Sequence, residues 1–223
     1  PIASALPGAL GDLERSLALA GHLRTLGIRH LHAHFVDGTA DLAARAARIA
    51  RVTLSHSAHA KDIYLSAPTA LRRRLGRAAF TVTCTGYNRD VLAQLAPDAA
   101  RVHLVHHGID TRRFAPAARA RAERERPGPA RLLAVGRLRP KKGFATLVAA
   151  CALLRERGLD FTCDIVGYGD EHAALAAAIE ALHLGDRVRL LGKLNHERIV
   201  ELYARADVFA APCEVAADGD RDG

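Results

Sequence analysis

The sequence predicts an α/β protein built as two doubly wound halves, and three observations carry that expectation. Short apolar runs of strand type alternate with Leu/Ala-rich helical patterns from end to end, as parallel sheets packed between helices require. The rhythm restarts after residue 130. Between the two runs lies "APAARARAERERPGPA" (115–130), polar and charged with two prolines near its end, which is linker composition. The halves therefore span 1–114 and 131–223.

Taken in order, "RHLHAHF" (29–35) reads as a strand and 39–50 as a helix capped by Thr39. "RVTLSH" (51–56), "AFTVTC" (79–84) and "RVHLVH" (101–106) are the next strands, with helical patterns between them. The second half contributes strands "RLLAVG" (131–136), "FTCDIVG" (161–167), "RVRLLG" (187–192) and "DVFAAP" (207–212). Its first helix carries Phe144, Leu147, Val148, Cys151 and Leu154 at helical spacing, a buried stripe. Gly158 stands where a glycine stops a helix. Continuous apolar strands of this kind predict sheets covered by helices on both faces.

Composition bounds the function. In 223 residues, apolar types make up 49% and aromatics 4%, so the core must be mostly Ala, Leu and Val. Lys+Arg 32 against Asp+Glu 24 gives a net charge of +8, which favours anionic partners such as nucleotides, phosphorylated lipids or nucleic acid. Coding bias toward Arg and Ala would leave the same basic surface. The four cysteines (Cys84, Cys151, Cys163, Cys213) form no CxxC pair and read as buried small residues of a reduced cytosolic protein. No apolar run reaches the ~18–20 residues of a membrane span, and no stretch reads as a signal peptide. The chain has no Met and begins at Pro1, so it is expected to be an internal piece of a longer protein.

"VGRLRPKKGF" (135–144) sets Arg137, Arg139, Lys141 and Lys142 between a strand and a helix. In open α/β sheets ligands sit at the carboxyl ends of strands, where helix N-termini present free N–H groups and partial positive charge. A guanidinium adds a bidentate fork and an ammonium a point charge. The turn is thus a candidate anion site, with a diphosphate as the fitting ligand; a solvated basic loop is the competing reading. "IVGYGD" (165–170) lacks a full GxGxxG, and a tight strand–helix turn accounts for it as well as a nucleotide does.

His30, His32 and His34 alternate on one strand face and could ligate zinc in a metal-dependent hydrolase, with Asp37, His56 or His59 as third ligand. Structural or substrate-contacting histidines give the same pattern. "HSAHAKDIY" (56–64) crowds His56, His59, Lys61 and Asp62 at a strand end. It reads either as a substrate-facing loop or as a helix start capped by Ser57. "VHHGID" (105–110) suits a chain passing between two lobes.

Several ordered stretches, "AHFVDGTADLAARAAR", "SAHAKDIY", "TGYNRDVL", "VHHGIDTRRF", "VGRLRPKKGF", "CDIVGYGDE", "VRLLGKL" and "YARADVFAAPC", together resemble the family-4 retaining glycosyltransferases of GT-B fold. The likeness is strongest to those of exopolysaccharide and capsule (colanic-acid-type) biosynthesis. It implies two Rossmann-like domains, both incomplete here. Residues 1–114 would be the back of the acceptor-side domain, 115–130 the linker, and 131–223 the front of the nucleotide-sugar domain. It implies that Arg137 and Lys142, five residues apart, grip the donor diphosphate. Lys141 falls outside that register. It further implies that His59 faces the donor sugar, and that Gly136, Gly167, Leu194 and Asp222 contribute to donor binding. Asp222 stands where the first acid of a Glu-x7-Glu motif falls; the second would lie near 230, beyond Gly223.

The implied reaction moves a sugar from a nucleoside-diphosphate sugar to a saccharide or lipid-linked acceptor hydroxyl with retention. No metal, cofactor or nucleic acid is expected. The implied location is cytoplasmic, with peripheral contact at the anionic inner face of the plasma membrane. The fragment alone is expected to be inactive as a transferase. Two other functions stay open: a non-catalytic nucleotide-sugar binder, and the His30/His32/His34 hydrolase.

Overall fold

The computed structural model describes residues 8–115 and 128–222. It divides into two compact units, one ending at His107 and the other running Gly108–Asp222. Residues 116–127, most of the stretch expected to link the halves, lie outside the described residues.

In the first unit four parallel strands stand in the order β1 (His30–His34), β2 (Thr53–Ala58), β3 (Phe80–Thr83), β4 (Val102–Leu104). Helix α1 (Gly8–Thr25) precedes them; α2 (Gly38–Ala50), α3 (Ala60–Tyr64), α4 (Pro68–Leu75) and α5 (Gly86–Leu95) lie between them. The cap of α2 is Asp37 rather than Thr39, because the Asp37 carboxylate accepts from the Thr39 N–H at 2.8 Å. At the other end Arg51 takes a left-handed conformation (φ 61°) and Val52 N–H bonds Ala47. That turn pushes the start of β2 from the expected 51 to Thr53. Ala40, Ala43, Ala46 and Ala47 are buried along α2, small enough for close approach to the sheet. Leu71, Leu75 and Leu92 from α4 and α5 pack with Ala58, Ile63 and Val102.

Sheet coverage differs from the expectation. The helices bury the face carrying Leu54, His56, Ala58, Thr81, Thr83 and Val102. On the other face His30, His32, His34, Phe80 and His103 are exposed among the described residues.

The second unit has four parallel strands in the order β7 (Val188–Gly192), β6 (Phe161–Val166), β5 (Ala130–Val135), β8 (Val208–Phe209). Its helices are α6 (Phe144–Glu156), α7 (His172–Ala181) and α8 (His196–Arg205). The predicted stripe of α6 is buried at Phe144, Leu147, Val148 and Cys151, with Leu154 partly covered, against Phe161, Cys163, Ile165 and Leu175. Gly158 ends that helix at φ 71°. On the opposite face α8 packs Ile199, Leu202 and Tyr203 near Leu133, Val166 and Ala206. Strand β8 is shorter than the expected 207–212. Ala210 N–H still bonds Leu133, but by Glu214 the chain has turned to bond the Lys141 carbonyl at 3.0 Å.

Among the described residues no helix is long and apolar enough to cross a membrane. All four cysteines are free. Cys151 and Cys163 are buried as expected, whereas Cys84 is half-buried and Cys213 exposed.

Candidate functional sites

At the carboxyl end of β5 the chain passes Gly136 and Arg137, makes a 3-10 turn over Pro140–Lys142, and enters α6 through Gly143. Gly143 sits at φ 65°, and a Cβ there would lie 1.9 Å from the Pro212 carbonyl oxygen, so only glycine fits. Two further glycines lock this turn to the one after β6. A Cβ on Gly167 would stand 1.7 Å from the Gly136 carbonyl oxygen, and one on Gly169 2.2 Å from that of Leu138. Gly136 N–H bonds the Val166 carbonyl at 2.9 Å, and Leu138 N–H bonds that of Tyr168 at 2.9 Å. Close backbone packing thus explains the glycines of "IVGYGD".

The cations of the turn separate by environment. Arg137 is exposed and has no carboxylate partner among the described residues. Arg139 pairs at the surface with Asp170. Lys142 pairs with Asp222, whose carboxylate also accepts from the Cys213 thiol at 3.3 Å. Lys141 is the most covered: its ammonium lies 3.1 Å from Asp220 and 3.3 Å from Asp222, with the side chain 12% exposed. Burial works to raise the Asp222 carboxyl, but the hydrogen bonds from Lys142 and Cys213 and the two lysine charges outweigh it and hold the group below its usual range. Lys141 therefore anchors the 213–222 segment, a role its position outside the five-residue register did not suggest. Of the residues expected to bind donor, Gly136, Arg137, Lys142, Gly167 and Asp222 are brought together here. Leu194 packs instead among Leu133, Val166 and Ala206.

His59 belongs to the first unit, where it caps the short helix α3 in Ser57's stead; Ser57 lies inside β2. Its N–H donates to Asp62 Oδ1 at 2.9 Å, while Asp62 Oδ2 accepts from Val36 N–H at 2.5 Å. The buried Asp62 thereby ties the loop after β1 to the start of α3. The His59 ring stacks on His34 at 6.2 Å between centroids and lies 5.1 Å from Phe35 and 5.7 Å from His107. Phe35 is held at φ 74°, a strained conformation for an aromatic residue. Burial lowers the pKa of His59; Asp62 opposes the shift, and His107 and His34 add to it.

The zinc reading of His30, His32 and His34 does not survive the geometry. The three share a face as expected, but His30 bonds the Thr53 and Ser55 hydroxyls, each at 2.7 Å. His32 bonds Ser55 and Ser57 at 2.6 and 2.8 Å. Both ring nitrogens of His30 and of His32 are engaged. Among the described residues the one group of three with metal-binding geometry is His59, Cys84 and His107. Strand order carried the missed signal, since the three residues close consecutive parallel strands. His56 points the other way, fully buried, with neither ring nitrogen hydrogen-bonded. Burial, then the His32 charge, pushes its pKa down to about 4.

Two α/β units, each built on a parallel sheet and the second with an anion-suited turn at a strand's carboxyl end, belong to the GT-B fold class. The family model "Glycosyltransferase Family 4" matches residues 2–113 and "Glycosyl transferases group 1" matches 118–219. The chain belongs to glycosyltransferase family 4. Its relatives include the amylovoran biosynthesis glycosyltransferase AmsK of Erwinia amylovora, 42% identical over 43% of this chain and 23% of that protein. The putative colanic acid biosynthesis glycosyltransferase WcaL of Escherichia coli is 36% identical over 52% of this chain and 28% of its own. A GDP-mannose-dependent phosphatidylinositol monomannoside mannosyltransferase of Mycolicibacterium smegmatis is 38% identical over 69% of this chain and 41% of its own. The matches thus span less than half the length of these relatives. A glycosyltransferase structure from Rickettsia africae has the same fold, with TM-score 0.73, 16% identity and coverage of 92% of this chain and 57% of that one.

Proposed function

We propose that the protein transfers a sugar from a nucleoside-diphosphate sugar to an acceptor hydroxyl, with retention of configuration and without a metal. The observation that carries this reading is the turn between β5 and α6, where the exposed Arg137 and the Asp222-paired Lys142 flank a helix N-terminus. As the glycosidic bond loosens, negative charge grows on the leaving diphosphate. Fixed cations placed beforehand stabilise that charge without reorganising, which is where electrostatic catalysis gains most. Arg137 offers a bidentate fork, and Lys142 a point charge whose position Asp222 holds. His59 would orient the donor sugar, and Gly136 and Gly167 let the backbone come close to it.

Residues 1–114 would serve the acceptor and 131–223 the donor, joined through 115–130. Relatives named for amylovoran and colanic acid biosynthesis support a saccharide or lipid-linked acceptor. A GDP-mannose-dependent relative supports a nucleotide-sugar donor. With a net charge of +8, the protein is suited to work in the cytoplasm against an anionic membrane surface.

The test is steady-state kinetics on the enzyme's full chain. Arg137→Ala and Lys142→Ala should each lower kcat by roughly 10²–10³, as removal of one preorganised stabilising group does. Arg139→Ala is the control, because among the described residues that exposed side chain pairs only with the exposed Asp170. Losses of the same few-fold size at 137, 139 and 142 would sink the assignment.

A further inference from the structure

We infer that His59, Cys84 and His107 form a binding site for a borderline-soft divalent cation, Zn2+ foremost. One ligand atom from each, an imidazole nitrogen or the thiol sulfur, lies within 4.8 Å of the other two. Three ligands around zinc stand about 3.3–3.8 Å apart, given bond lengths near 2.0–2.3 Å. Side-chain rotation covers the difference.

The site follows from the strand order. His59 comes directly after β2, Cys84 directly after β3, and His107 three residues past β4. In a parallel sheet these carboxyl ends lie side by side. The frame around them is pinned: His59 through Asp62, and the last turn of the β4 segment through Val105 N–H to the Thr83 carbonyl at 2.8 Å. The His106 ring also bonds the Cys84 carbonyl at 3.0 Å, which holds the backbone carrying two of the three ligands.

The donor set selects the ion. Two imidazoles and a thiolate suit zinc and disfavour magnesium or calcium, which require oxygen ligands. Binding would release the Cys84 thiol proton to solvent and leave a fourth position open to water. A bound cation would also withdraw His59 from the donor sugar, so Zn2+ would inhibit transfer. That consequence rests on the function proposed above; the metal site itself does not.

The experiment titrates the metal-free full chain with Zn2+ and, separately, with Co2+ as a spectroscopic probe. One equivalent should bind, and Co2+ should give a thiolate charge-transfer band in the near ultraviolet. Cys84→Ser should abolish the band. His107→Ala should weaken Zn2+ binding at least ~100-fold, since loss of even an outer-shell partner costs 10–100-fold. In the unaltered protein, Zn2+ should slow alkylation of Cys84 while sparing the exposed Cys213, a readout that needs no variant. No thiolate band, unprotected Cys84, or unchanged affinity in both variants would overturn the site. Zn2+ binding with that band but without inhibition would keep the site and overturn the role given to His59.

Discussion

Replacing Gly167 with alanine tests whether backbone packing, rather than any side chain, places the proposed diphosphate site. The new Cβ would stand 1.7 Å from the Gly136 carbonyl oxygen, whereas real Cβ atoms essentially never come within 3.0 Å. One strand end must therefore yield by at least 1.3 Å, the difference of those two distances. The neighbour is backbone and cannot rotate aside. Gly167 also sits at φ 153°, which alanine adopts at a cost of roughly 1–3 kcal/mol. When the Gly136 side yields, the segment that moves carries Arg137 and leads into the turn holding Lys142. A displacement of about 1 Å at a reacting centre can cost ~10²-fold in rate. The expected outcome is a kcat loss of at least ~10-fold in a protein that still folds, with thermal stability lower by a few kcal/mol. Kinetics and a melting curve followed by circular dichroism measure the two together. Wild-type kcat in a destabilised Gly167→Ala variant would refute the reasoning, because the clash would then have been absorbed away from the site.

Three further outcomes are expected. His56 is neutral in the fold, so from pH 6.5 downward the unfolded chain takes up a proton that the folded chain refuses until about pH 4. Its share of stability is complete above 6.5 and falls by about 3 kcal/mol across that window. His56→Leu should flatten the decline, measured by urea unfolding at several pH values; parallel curves for the two proteins would count against it. Lys141→Ala should destabilise the second unit by about 1–2 kcal/mol while Arg139→Ala costs little, because only Lys141 is a covered partner of two carboxylates. Equal melting temperatures would contradict that. Transfer should proceed undiminished in EDTA; loss of activity restored by magnesium or manganese would defeat the metal-free mechanism.

Much of the fold was legible because strand and helix periods differ and the apolar runs kept to one or the other. The buried stripe of α6 and its glycine stop came straight from spacing. Strand ends were less legible, since backbone events outside the run decide them: the left-handed Arg51 delayed β2, and the return of Glu214 to Lys141 shortened β8. Choosing Thr39 over Asp37 failed because the two lie two residues apart and either could cap. For the site, spacing picked out Arg137 and Lys142, but no local pattern distinguishes Lys141 from Lys142. Their difference is made by Asp220 and Asp222, some eighty residues on. The proximity of Cys84 and His107 to His59 is equally non-local.

The histidines on the open sheet face form a chain with a direction. Thr53 has one hydroxyl hydrogen, and it goes to the Arg29 carbonyl at 3.3 Å. Thr53 must then accept from His30 Nδ1, which leaves His30 Nε2 to accept from Ser55. Ser55, its hydrogen spent, accepts from His32 Nδ1, and His32 Nε2 accepts from Ser57. A single main-chain oxygen at the foot of the sheet thus sets the tautomer of two rings and the rotor of three hydroxyls. Reversing the donor at Thr53 would reverse both rings and both serine hydroxyls above it, so the row is one directed hydrogen-bond chain rather than a set of separate side chains.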